Sequence, residues 1–187
     1  DVAALIARVT ERTRVLLVNS PNNPTGWALT RAEQKAILDH CNRTGTWILA
    51  DEVYERMWFG PEPCAPSFLD LAEPEDRVVA VGSFSKSFLM TGWRLGWLVA
   101  PAGLVVQLGK LIEFNTSCAP VFVQRAGLAA LAGAERSVPD LVARTKACRD
   151  VLLPLLRDIG GLEVETPPGG LYAFFRVPGE GDSLAFA

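Results

Sequence analysis

Apolar residues arrive in short unbroken runs, and each run is closed by a polar turn. Val15-Leu16-Leu17-Val18-Asn19 leads into Ser20-Pro21-Asn22-Asn23-Pro24-Thr25-Gly26, and Trp47-Ile48-Leu49-Ala50 leads into Asp51-Glu52-Val53-Tyr54. A third run, Val78-Val79-Ala80-Val81, ends in Gly82-Ser83-Phe84-Ser85-Lys86. Short apolar runs bounded by Pro, Gly, Asn and Ser read as buried strands, and Trp93 to Ala100 predicts a fourth. Between the first two, Thr30 and Glu33 form a capping box for a helix that carries Ala36, Ile37 and Cys41 inward and stops at Gly45.

After Pro101 the spacing becomes helical: Leu104 to Glu113, Val121 to Ala134, then about Pro139 to Ile159, interrupted or kinked at Pro154. Two further short strands, Leu162–Glu165 and Leu171–Phe175, flank Pro167-Pro168-Gly169-Gly170. Strands that are apolar throughout and joined by helices predict an α/β protein with a mostly parallel sheet covered on both faces. The pattern divides the chain into residues 1–138, part of a large α/β domain, and 139–187, a linking helix and the beginning of a smaller α+β domain. In open α/β sheets ligands sit beyond the carboxyl ends of the strands, which is where Asn23, Asp51 and Ser83 to Lys86 all fall.

Composition narrows the chemistry. With 187 residues, 49% hydrophobic and 21% charged, the chain has ample material for a core, and a net charge of −3 gives no footprint for nucleic acid or an anionic membrane surface. No apolar run is long enough to span a membrane, and the first residues lack signal-peptide character, so a cytoplasmic protein is expected. The four cysteines form no CxxC pair and His40 is the single histidine, so neither a zinc site nor Ser-His or Cys-His catalysis is expected.

Of the four lysines, Lys35, Lys110 and Lys146 lie in helical, polar stretches, whereas Lys86 ends a buried strand. A desolvated lysine near another cation has a lowered pKa and forms a Schiff base with an aldehyde. Ser83, Ser85 and Arg94 would suit a phosphate held beside it, although such serines also satisfy strand-exit backbone groups. Asp51, half-buried at its strand end, suits a cation such as a protonated pyridine nitrogen, whose pKa it would raise, or else serves as a helix cap or in a salt bridge to an arginine. Tyr54 and Asn23 could reach a ring hydroxyl, or could serve as core and turn residues.

Taken in order, Ser20–Gly26, Asp51–Tyr54, Ser83–Lys86 and Thr91-Gly92-Trp93-Arg94-Leu95-Gly96 resemble the class I/II aminotransferases, pyridoxal-phosphate enzymes of fold type I. Pro167-Pro168-Gly169-Gly170-Leu171-Tyr172 resembles the first strands of that family's small domain, so the resemblance covers nearly the whole chain. It implies an internal aldimine on Lys86, Asp51 on the pyridine nitrogen, Tyr54 and Asn23 on the phenolic oxygen, and Ser83, Ser85 and Arg94 on the phosphate of pyridoxal 5'-phosphate, with Asn23 also at the substrate carboxylate. The implied activity is amino transfer from an amino acid to a 2-oxo acid in a homodimer. A β-lyase on the same scaffold and the cofactor-binding sensor domain of a transcriptional regulator are the alternatives. Full-length members are longer, and the flanks that carry a ring-stacking group and a carboxylate-binding arginine are not in this sequence, which therefore reads as a central excerpt. Lys110 to Cys118 contains no arginine where some dicarboxylate-specific relatives place one, which points away from strict aspartate or glutamate specificity.

Overall fold

The computed structural model describes residues 1–179, 181, 182 and 184. A short helix α1 (Val2–Ile6) precedes β1 (Val15–Asn19), α2 (Arg31–Thr44), β2 (Trp47–Asp51), β3 (Val78–Ser83) and β4 (Gly96–Val99). The order across the sheet is β1-β2-β3-β4; the first three strands are parallel, and β4 returns antiparallel to β3. Three helices follow, α3 (Ala102–Thr116), α4 (Val121–Ala132) and α5 (Ala134–Asp158), then an antiparallel pair, β5 (Glu163–Val164) and β6 (Phe175–Arg176).

One face of the sheet is built as expected. Val18, Ile48, Ala50, Val78 and Ala80 pack against Ile37, Leu38 and Cys41 of α2 and against Phe68. Helix α2 starts at the predicted capping box, where the Thr30 hydroxyl accepts from Glu33 N and the Glu33 carboxylate accepts from Thr30 N, and it ends at Gly45 with φ +71°. Its inward stripe is Gln34, Ile37, Leu38 and Cys41, with Ala36 exposed. Gln34 takes an inward place because its amide donates to the Pro66 carbonyl at 2.9 Å, and a lone methyl exerts little pull on helix orientation.

The other face corrects the expectation of cover on both sides. Leu17 is 62% exposed, and over Val81 and Leu98 the helix α3 leaves a groove of about 400 Å³. The strands carry apolar residues on both faces, but among the described residues only one face receives a full layer. Two boundaries also differ. Trp93 belongs to a helical turn, so β4 begins only at Gly96, where a side chain would press on the Gly82 carbonyl oxygen at 2.8 Å. Helix α5 runs unbroken through Pro139 and Pro154, anchored by buried Val138 and Leu153. No helix among the described residues is long and apolar enough to cross a membrane.

Candidate active site

Asn19 and Asp51 are register partners at the carboxyl ends of β1 and β2, and Ser83 ends β3 on the same face by strand alternation. Asn19 ties two of the polar turns together: its Nδ2 donates to the Asp51 carbonyl at 3.1 Å, and its Oδ1 accepts from Asn23 N at 2.7 Å. It thus seats the Ser20–Gly26 turn against the end of β2.

Asn23 then faces Tyr54. Its Nδ2 donates to the Tyr54 hydroxyl at 3.3 Å and to the Tyr172 hydroxyl at 3.4 Å, and the two phenolic oxygens are 3.1 Å apart. Tyr54 is buried, and burial, with the bond to Tyr172 and the charge of Asp51 adding to it, holds its phenol well above the usual tyrosine range. It is therefore a proton donor across the physiological range.

Tyr172 reaches this point because Pro167–Gly170 is hydrogen-bonded to the segment after Tyr54 and packs on the Ser20–Gly26 turn. Phe59 N donates to the Pro168 carbonyl, Gly170 N donates to the Met57 carbonyl, and Arg149 of α5 donates to the Pro167 carbonyl at 3.1 Å. The seating is close: a Cβ on Gly26 would lie 2.3 Å from Pro167 Cβ, and one on Gly169 would lie 2.9 Å from the Met57 carbonyl oxygen.

Lys86 places Nζ 5.5 Å from the centroid of the Tyr54 ring, within cation–π range. Among the described residues neither the Lys86 ammonium nor the half-buried Asp51 carboxylate has an ion-pair partner; Asp51 accepts only from Val53 N, at 3.4 Å. Arg94 likewise lacks a carboxylate and donates only to the Thr91 carbonyl at 2.8 Å. The turn that carries Lys86 and Arg94 is closed by Met90 N to the Phe84 carbonyl and Phe84 N to the Leu95 carbonyl. It holds Leu89 at φ +55° and Arg94 at φ +52°, left-handed conformations that cost such residues about 1–2 kcal/mol each.

Not every expected residue joins the cluster. Ser83 Oγ accepts from Ser85 N at 3.0 Å, so that hydroxyl serves the strand exit while keeping its own hydrogen for a ligand. Arg94 lines a separate groove of about 680 Å³ with Trp93, Thr116 and Phe122, and no hydrogen bond links it to Ser83, Ser85 or Lys86. Asn19 and Tyr172 were not expected at the site. Asn19 had a signal, an amide at a strand end in line with Asp51; for Tyr172 there was only its place after two glycines.

Glu52, next to Asp51, is 4% exposed. Its carboxylate accepts from the Ser67 hydroxyl at 2.6 Å and Phe68 N at 2.8 Å, and burial raises its pKa despite these bonds. It caps the turn Phe68–Asp70, whose Phe68 anchors the core beneath β2 and β3.

An unpaired carboxylate, an unpaired amine and phenols around one sheet edge suit a ligand with a cationic ring and an electrophilic carbon. The family model for aminotransferase class I and II matches residues 1–187. An aspartate aminotransferase of Musicola paradisiaca is 39% identical over 98% of the chain and 46% of its own length. An arginine–pyruvate transaminase of Pseudomonas aeruginosa is 38% identical over 100% of the chain and 47% of its own length. Among solved structures, an aspartate aminotransferase from Thermotoga maritima superimposes with a TM-score of 0.88 at 31% identity, covering 100% of the chain and 48% of that structure. The chain thus spans about half the length of the relatives it matches.

Proposed function

The chain belongs to the class I and II aminotransferases, and from that premise we propose that it carries the cofactor-binding part of a pyridoxal 5'-phosphate-dependent transaminase. Its reaction moves an amino group from an amino acid to a 2-oxo acid. The names of the relatives, which are aminotransferases and a transaminase, support this over a lyase or a sensor.

The residues present fit the cofactor. Asp51 would hold the ring nitrogen protonated, which explains a half-buried carboxylate with no cation of its own. Tyr54 and Asn23 would donate to the phenolic oxygen, and Ser83, Ser85 and Arg94 would bind the phosphate, the guanidinium by its planar fork. When bound, the cofactor supplies an electrophilic carbon for amines and a ring that takes up the electron pair left at the substrate α-carbon. Lys86 Nζ would hold the cofactor covalently and, once displaced by the substrate amine, would take the α-proton and return it one step later. Asn23 would also help orient the substrate carboxylate.

The observation that carries this reading is the pairing, around one buried tyrosine, of an amine and a carboxylate that neutralise neither each other nor a neighbour. Borohydride reduction of the cofactor-loaded protein followed by peptide mapping should place the label on Lys86. Label confined to Lys35, Lys110 or Lys146 would refute it.

Three further assignments belong to the same proposal. The chain divides at residue 138, near the start of the continuous helix α5, into large-domain and small-domain parts, a division for which the two separate sheets speak. The enzyme is a homodimer, supported by apolar residues left open on α3 and α4, such as Phe114 at 93% and Phe122 at 67% exposure. It works in the cytoplasm, which suits four cysteines that are all free thiols.

A further inference from the structure

We propose that Tyr172 is a positioning residue of this site, acting through Tyr54 and Asn23 on the phenolic oxygen of the cofactor. This rests on the reading above and adds to it a hydroxyl delivered from 149 residues beyond Asn23.

Hydrogen counting shows what that hydroxyl does. Asn23 offers two N–H groups and each phenol one O–H. In the triangle found here both amide hydrogens are directed to phenolic oxygens and one phenol hydrogen lies between Tyr54 and Tyr172, so a single hydrogen is left over. As the triangle stands, Asn23 and Tyr54 cannot both donate to a fourth oxygen. An anionic oxygen, however, draws donors about twice as strongly as a neutral phenol does. Once it takes one Asn23 hydrogen and the Tyr54 hydrogen, the oxygen of Tyr54 is free to accept, and among the described residues the hydroxyl bonded to it is that of Tyr172. Tyr172 is then the donor in the bond between the two phenols. The chain Tyr172 to Tyr54 to cofactor oxygen is then aligned, and each bond polarises the next.

The surroundings favour that alignment. Tyr54 is buried and kept protonated, with Asp51 raising its pKa from the end of β2 and the Lys86 ammonium over its ring. Tyr172 is 38% exposed, and its backbone follows directly on the anchored Pro167–Gly170 segment. A side chain so exposed is not required for the core, so its hydroxyl can be removed without emptying one.

Tyr172→Phe tests this in two states. Without cofactor, at neutral pH, the side-chain amide resonances of Asn23 should move and one of its protons should exchange faster, while backbone amides elsewhere keep their shifts. With pyridoxal 5'-phosphate bound through Lys86, loss of the relay makes the phenolic oxygen harder to ionise. The pH midpoint of the cofactor absorbance change should rise by about 0.4 to 1 unit, the effect of one net hydrogen bond. In a Tyr54→Phe background the same substitution should leave the midpoint where it was, because the relay has already been cut. An unmoved or lowered midpoint in loaded Tyr172→Phe, or an equal shift in the Tyr54→Phe background, would overturn the proposal. A wild-type protein that takes up no cofactor at all would instead sink the assigned reaction, a different and separately visible failure.

Discussion

Gly26→Ala measures how firmly the Pro167–Gly170 segment is seated on the first turn. Gly26 sits at φ +71°, where an L side chain costs about 1–2 kcal/mol. Its new Cβ would also lie 2.3 Å from Pro167 Cβ and 2.7 Å from the Gly169 carbonyl oxygen. Neither neighbour can withdraw freely, since the segment is bonded to Met57, Phe59 and Arg149. Such overpacking costs about 1–3 kcal/mol, so the two effects together give about 2–5 kcal/mol. Gly161→Ala is the control: its φ of +87° imposes the conformational cost, but nothing lies within 4 Å of the added methyl. At about 2–4 °C per kcal/mol for a chain of this size, Gly26→Ala should lower Tm by about 4–20 °C and Gly161→Ala by about 2–8 °C. Urea unfolding followed by tryptophan fluorescence, compared at constant m, gives the same difference at room temperature. Equal losses in the two variants would show that the contact term is absent and that the segment does not lie on the turn as described.

Asp51→Asn should retain bound cofactor yet lose about a hundredfold or more in transamination, because the ring nitrogen is no longer held protonated; near-normal turnover would make Asp51 structural. Glu52 has a raised pKa, so the folded state holds its proton more tightly than the unfolded chain does, and its contribution to stability is full in acid and is lost as pH rises through that elevated value. Glu52→Gln, which can keep a bond to Phe68 N without burying a charge, should gain on the wild type in urea midpoint as pH rises above the ordinary carboxylate range, whereas Glu52→Ala, which leaves the Ser67 hydroxyl and Phe68 N unpaired, should lose about 1–3 kcal/mol in acid and less as pH rises. A variant-to-wild-type difference for Glu52→Gln that stays flat with pH would show that burial does not perturb this carboxyl. Because Lys110 to Cys118 contains no arginine, leucine, phenylalanine or alanine should serve as amino donor better than aspartate in a donor screen, and a clear preference for aspartate would reverse that expectation.

Much of the fold was legible because its signals are local. The runs at Val15, Trp47 and Val78 are strands because they are apolar without interruption and punctuated at once, and the Thr30–Glu33 box marks the start of α2 to the residue. Structure departs from sequence expectation where a distant partner decides. Nothing in Trp93–Ala100 announces that pairing starts at Gly96 or runs antiparallel; the left-handed turn at Arg94 and the close approach to Gly82 settle both. Pro154 removes one backbone donor, but the helix around it is long enough to continue. Asp51, Tyr54 and Lys86 stand out as candidates in the sequence because each ends a strand or follows one within a few positions. Tyr172 does not, since it meets Asn23 and Tyr54 only through a contact across most of the chain.

That span bears on the order in which the molecule takes shape. Each strand of the main sheet pairs with the next one in the sequence, so the sheet can zip from neighbour to neighbour with only modest loops to close. The tyrosine pair is different: it joins Tyr54 to a residue beyond α3, α4 and α5 and so closes a separation of 118 positions, a slower contact to make. In refolding, the circular dichroism of helices and strands would return first, and the near-ultraviolet signal of the tyrosines would lag behind it. A kinetically trapped molecule with normal secondary structure would then be one in which the two phenols have not yet met.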